Sequence, residues 1–202
     1  MTYETALKHA DVTKPKILGI GGTPNANSGT EKALATALGA ARESGAETTM
    51  IAGPDLVLPM YQYVQGDRGA KEMRVVNAMR ACDGIIIASP SYHGSISGLM
   101  KNVLDYTEDL REDERVYFDG LAVGVIACAG GWQAAVQTIS AMRSIAHALR
   151  GWPTPLAASL NTSANLFDTD GNCTDMAARF QLETVGRQVV EFAQLRQSSL
   201  AA

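Results

Sequence analysis

A chain of 202 residues, 46% hydrophobic and 19% charged with 19 Gly and 7 Pro, fits one globular domain and excludes a collagenous or disordered chain. Seventeen Lys plus Arg against 21 Asp plus Glu leave a net charge of −4, so no basic field is available for a polyanion and nucleic acid is excluded as the expected partner. Three scattered Cys and three scattered His form no disulfide framework, CxxC pair or zinc spacing, which predicts no metal and a reduced, cytoplasmic compartment.

Residues 1–14 lack the apolar stretch of a secretory signal and are expected to be a lead-in to a single domain over 15–197, with 198–202 as a tail. No apolar run approaches the roughly 18 residues of a membrane span, so no membrane contact is expected. Ile17 to Ile20 reads as a strand, followed by a polar Gly-rich loop from Gly21 to Gly29 and a helix with Ala33, Leu34, Ala37, Leu38 and Ala41 on one face. Thr48 to Ile51 reads as a second strand and Asp55 to Gly69 as a loop or broken element. Met73, Val76 and Met79 then mark a helix from Gly69 to Ala81.

Gly84 to Ala88 has the β-branched, unbroken apolar character of a strand buried on both faces, and it ends in the loop Ser89 to Ser95. A helix is predicted from Ile96 to Glu108, then a solvated link to Arg115, and a strand over Leu121 to Ala127 that ends at Cys128-Ala129-Gly130-Gly131-Trp132. A helix from Gln133 to Arg150, a last strand from Pro155 to Leu160 and a helix from Asp175 to Gln197 complete the pattern. The alternation predicts a three-layer α/β sandwich with a five-stranded parallel sheet.

Ligands of such sheets collect beyond the carboxyl ends of the strands, where all three unusual loops fall. The first has several amides, the hydroxyls of Thr23, Ser28 and Thr30, and a helix N-terminus that suits a phosphate. Read alone, it is equally a solvated connection with Ser28 or Thr30 as N-cap. A Walker loop is excluded because Asn27 and Ser28 stand where its Gly-Lys is required, and Pro24 replaces the third Gly of the dinucleotide fingerprint. Pro90, Tyr92, His93 and Gly94 in the second loop, and Gly130, Gly131 and Trp132 in the third, suit a planar ring held by main-chain donors and flat side chains.

These loops resemble those of the NADPH-dependent FMN reductase family, which has a flavodoxin-like fold. The family's phosphate loop is similar to Gly-Ser-x-Arg-x-x-Ser-x-Asn, read here as Gly22-Thr23-Pro24-Asn25-Ala26-Asn27-Ser28-Gly29-Thr30, with Asn25 in place of Arg. The second loop is similar to Pro-x-Tyr-x-Gly-Ser-x-Pro-Gly-x-Leu-Lys-Asn-x-Leu-Asp. Pro90, Tyr92, Gly94, Ser95, Gly98, Lys101, Asn102, Leu104 and Asp105 match it, and Ser97 and Met100 depart from it.

The resemblance implies FMN held by Thr23, Asn25, Ser28, Thr30, Pro90, Ser91, Tyr92, His93, Gly94, Ser95, Ala129, Gly130, Gly131 and Trp132. It implies reduction by NADPH or NADH and electron transfer to a flavin, quinone or similar small-molecule acceptor. It implies a homodimer or homotetramer, with a flavin-dependent monooxygenase as a further partner, while Lys101, Asn102 and Asp105 anchor a helix or a subunit contact. The flavin carries the redox chemistry, so no nucleophile or triad is required. His93 is the one histidine in the candidate site, where it either exchanges a proton or forms a pocket wall. Cys128 and Cys82 read as packed sulfur. An electron-transfer flavodoxin, or a protein that takes the flavin as substrate or ligand, is the alternative.

Overall fold

Alternate residues of the apolar runs point to opposite faces of a sheet, and here both faces are covered. The computed structural model describes residues 13–63 and 67–200, so most of the expected lead-in, with His9, lies outside the described residues. Strand β1 (Lys16–Gly21) lies between β2 (Glu47–Ile51) and β3 (Gly84–Tyr92), and β3 pairs in turn with β5 (Ala122–Ala129), all parallel. Helices α2 (Ala70–Ala81), α3 (Gly98–Asp105) and α4 (Trp132–Ala148) cover one face, packing Val75, Met79, Met100, Val103 and Met142 on Leu18, Ile20, Ile85, Ile87 and Val125. Helices α1 (Gly29–Glu43) and α5 (Met176–Leu200) cover the other, with Leu34, Leu38, Leu182 and Val185 on Ile17, Ile86 and Ile126.

The fifth position of the sheet departs from the expected continuous strand. It is filled by two short strands, β6 (Trp152–Pro153) beside the start of β5 and β7 (Ala158–Asn161) beside its end. Trp152 N and Thr154 N bond to Leu121 O and Val123 O at 2.8 and 3.0 Å, and the chain then leaves β5, with Leu156 N turned to a side chain of α5. Arg143 of α4 holds the departure by donating from Nη2 to the carbonyls of Thr154 and Pro155 at 3.1 and 2.8 Å. Outside this column, the side-chain oxygens of Gln188 and Gln181 of α5 accept from Leu156 N at 3.0 Å and Ser159 N at 2.9 Å.

The segment read as one helix from Ile96 to Glu108 is three elements. Ser95–Ile96 forms β4, antiparallel to the end of β3; α3 follows; and a 3₁₀ turn over Tyr106–Leu110 buries Tyr106, Thr107 and Leu110 where a solvated link was to begin. Ser97 explains the helix start, since its Oγ caps α3 by accepting from Met100 N at 3.1 Å. At the other end of the chain α5 continues through Leu200, across residues read as the start of a tail.

Where α1 crosses α5, a Cβ added to Gly186 would lie 2.2 Å from the Ala37 carbonyl oxygen, so the helices meet backbone to side-chain-free backbone. Gly186→Ala must push the helices apart, and a loss of about 1–3 kcal/mol in urea denaturation is the expected result, the range typical of an overpacked core.

Candidate functional site

The register brings the three loops together. Gly21 pairs with Ala88 and Pro90 with Cys128, so β3 and β5 end nearly level and β1 ends a few residues before them on the adjacent column. Adjacent strands are about 4.8 Å apart and rise about 3.3 Å per residue, so the three loops leave the sheet within roughly 15 Å of one another. That span suits one tricyclic ring with its phosphate.

In the first loop, the Thr23 and Ser28 hydroxyls hydrogen-bond to each other at 2.8 Å, and Thr23 also donates to Asn25 O at 3.2 Å. Ser28 caps α1 by accepting from Glu31 N at 3.2 Å. Asn27 is left-handed, with φ 58°, and its N–H donates to Glu31 Oε2 at 3.0 Å. Among the described residues, the amides of Asn25, Ala26, Ser28 and Gly29 have no acceptor. Thr30 is buried in the first turn of α1, and the thiol of Cys128 is buried at the end of β5. Burial pushes that thiol up to about 11, which fits packed sulfur.

The second loop is a two-residue hairpin rather than a free connection. Tyr92 and Ser95 pair across it, and its central residues His93 and Gly94 have φ 50° and 86°. Positive φ at both positions is the type I′ signature, which Gly adopts without strain and His tolerates better than most side chains. The turn leaves Tyr92 and His93 exposed at its tip, Pro90 buried in the strand and the Ser91 hydroxyl without a partner among the described residues. Thr138 of α4 donates to Ser95 O at 3.2 Å, and the Gln137 amide packs against Gly94, so α4 fixes the hairpin from below.

The third loop presents bare backbone. Nothing lies within 4 Å of a Cβ built on Gly130 or Gly131, and Gly131 leads into α4 without a side-chain cap. Trp132 stands 59% exposed beside it, while Ala129 is buried and its carbonyl accepts from Thr162 N at 2.7 Å.

Two residues that sequence reasoning gave no pocket role organise these loops. Ser97 donates from Oγ to Gly22 O at 2.8 Å and from its N–H to Ser89 Oγ at 3.0 Å, which ties the first loop to the second. It stands where the motif has Pro, so the signal was a departure from the pattern. Asn102 receives Tyr61 N at 2.8 Å and donates to Pro59 O at 2.9 Å, holding the segment after β2 over α3. Arg68 continues that layer, bonded twice to Asp109 at 2.8 Å and lying over the rings of Tyr61 and Tyr106. Burial, then the bond to Glu72, pushes the Tyr106 phenol up to about 12. Lys101 and Asp105 form an exposed pair one turn apart on α3. No group of His, Cys, Asp and Glu able to hold a metal occurs among the described residues.

An open sheet in the order β2-β1-β3-β5-β6/β7, with Gly-rich loops at its carboxyl edge, defines a flavodoxin-like α/β fold. The model of the NADPH-dependent FMN reductase family matches residues 15–165, and the chain belongs to that family. It is 34% identical over 102 residues to an FMN-dependent NADPH-azoreductase of Staphylococcus aureus, covering 50% of each chain. It spans about half the length of the curated relatives it matches.

Among solved structures, the fold is similar to the flavoenzyme NAD(P)H:(acceptor) oxidoreductase FerB of Paracoccus denitrificans (TM-score 0.74, 17% identity, covering 90% of this chain and 98% of that one). It is also similar to the apo form of an NADH:FMN oxidoreductase, EMOB (TM-score 0.68, 21% identity, covering 91% and 90%).

Ser97→Ala deletes a helix cap and leaves the buried Gly22 carbonyl without its donor. Each loss is worth about 1 kcal/mol, so a total of roughly 1–3 kcal/mol is expected in urea denaturation. With Cys82, Cys128 and Cys173 all buried, the native protein should resist iodoacetamide at neutral pH and react at all three thiols once unfolded.

Proposed function

We propose that the chain binds FMN across the carboxyl ends of β1, β3 and β5 and oxidises NADPH or NADH, delivering the electrons to a flavin, quinone or azo acceptor. The observation that carries this reading is the emergence of three Gly-bearing loops from the carboxyl ends of adjacent strands, one of them with four amides that have no acceptor among the described residues. Thr23, Ser28 and the amides from Asn25 to Gly29 would hold the phosphate, with Asn25 supplying an amide side chain at the loop's tip. The hairpin from Pro90 to Ser95 would meet one edge of the ring, and the bare backbone from Ala129 to Gly131 would meet the other. Trp132 and Tyr92, both large and exposed, would wall the ring.

When bound, FMN supplies the hydride-accepting chemistry, and the protein's share is to hold two rings in contact and to offer main-chain donors to developing negative charge. His93 fits the part of a pocket wall, because its position in a two-residue turn fixes its backbone while leaving its ring at the rim. Thr30 is buried beneath the loop and does not need to touch the ligand. Exposed Met60, Tyr63, Trp132 and Val136 supply apolar surface for a second copy, which supports a homo-oligomer. A cytoplasmic location and a monooxygenase as electron recipient complete the proposal.

The test is anaerobic stopped-flow mixing of the FMN-loaded protein with NADPH and, separately, NADH. Rapid bleaching of the flavin band by either one is expected. Stable oxidised flavin in the presence of both would overturn the reductase reading in favour of an electron-transfer flavodoxin.

A further inference from the structure

The phosphate loop carries the wrong charge for a tight grip on a phosphate. Between Gly21 and Glu31 there is no Lys or Arg, and Glu31 is the sole charged residue. Its carboxylate does not point away from the loop. Oε2 accepts from Asn27 N at 3.0 Å and would lie 3.7 Å from a Cβ on Gly53, so it occupies the cleft between the first loop and the segment after β2. Of the amides from Asn25 to Gly29, Asn27's is the one with an acceptor among the described residues, and that acceptor is this carboxylate. Lys32, next in sequence, lies along Gly171 on the neighbouring connection.

A Glu in the third helical position is a good partner for a helix N-terminus, both by capping and by its charge. The same charge within a few Å opposes a dianionic phosphate seated on the same amides. We propose that Glu31 is a tethered competitor for the flavin's phosphate, so that the phosphate adds little to binding and FMN is held as an exchangeable ligand. This deepens the proposed FMN reading and rests on it. The loop then selects for the ring through the second and third loops and is nearly indifferent to whether the ribityl chain ends in phosphate or hydroxyl.

Glu31→Gln isolates the charge, since Gln keeps the side-chain length and serves equally in a cap. Dissociation constants for FMN and riboflavin are measured by quenching of flavin fluorescence on the unaltered protein and on Glu31→Gln, at low and high salt. The expected result is FMN bound about tenfold tighter by the variant, with riboflavin changed by less than about twofold, as removal of one nearby like charge dictates. Added salt should strengthen FMN binding to the unaltered protein and not to the variant, because screening relieves repulsion.

Glu31→Ala, which also removes the cap, should show the same FMN-selective gain. Equal effects on the two flavins, or no gain for FMN, overturn the proposal while leaving the FMN site intact. Failure of the unaltered protein to bind either flavin overturns the FMN reading, and this inference with it.

Discussion

The carbonyl of Gly22 accepts a hydrogen bond from the Ser97 hydroxyl, and through that contact the end of β1 is fastened to the turn that follows β3. Both partners are buried, so the bond is made where water cannot replace it. The adjoining contacts run in the same direction: Gly22 N reaches Ala88 O at 2.6 Å, and Ser89 Oγ receives Ser97 N. Two loops that would each be mobile alone are therefore set by the sheet beneath them. A ligand spanning them would meet donors already in place and spend little of its binding energy on ordering the chain.

The layers around that junction have unequal tasks. The α1 and α5 side is close-packed through small residues and leaves the first loop's helix rigidly seated on β1 and β3. The other side places α3 and α4 under the hairpin and carries the Tyr61, Arg68, Tyr106 and Asp109 layer that braces the segment after β2. Stability is concentrated in the apolar layers, and the polar contacts at the sheet's carboxyl edge serve position. That division is typical of folds whose function lies in loops on a fixed scaffold.

Three central strands were legible because Ile17 to Ile20, Gly84 to Ala88 and Leu121 to Ala127 are unbroken apolar runs, which only a doubly covered sheet accommodates. The residues of the candidate site were legible as loops, but not in their orientations. Thr30 looks like a loop hydroxyl in sequence, yet it is buried in the first turn of α1. The Tyr92 to Ser95 hairpin escaped notice because its turn is His-Gly, not the Asn-Gly or Asp-Gly that marks such turns. The broken fifth strand is held by Arg143 and Gln188, side chains of two helices that no local pattern links to it. Asn102 acts on residues more than forty positions away, and no local pattern contains that information.

The glutamines of α5 have one further consequence. An uncovered sheet border exposes a row of main-chain donors on which another polypeptide can lay itself. Here Leu156 N and Ser159 N are already satisfied by Gln188 and Gln181, and the border itself is interrupted between β6 and β7. Copies of this protein therefore cannot concatenate into a continuous ribbon along that side. Association there would have to proceed through side chains such as Trp152 and Phe192, whose rings lie tilted with centroids 6.0 Å apart beside the interruption.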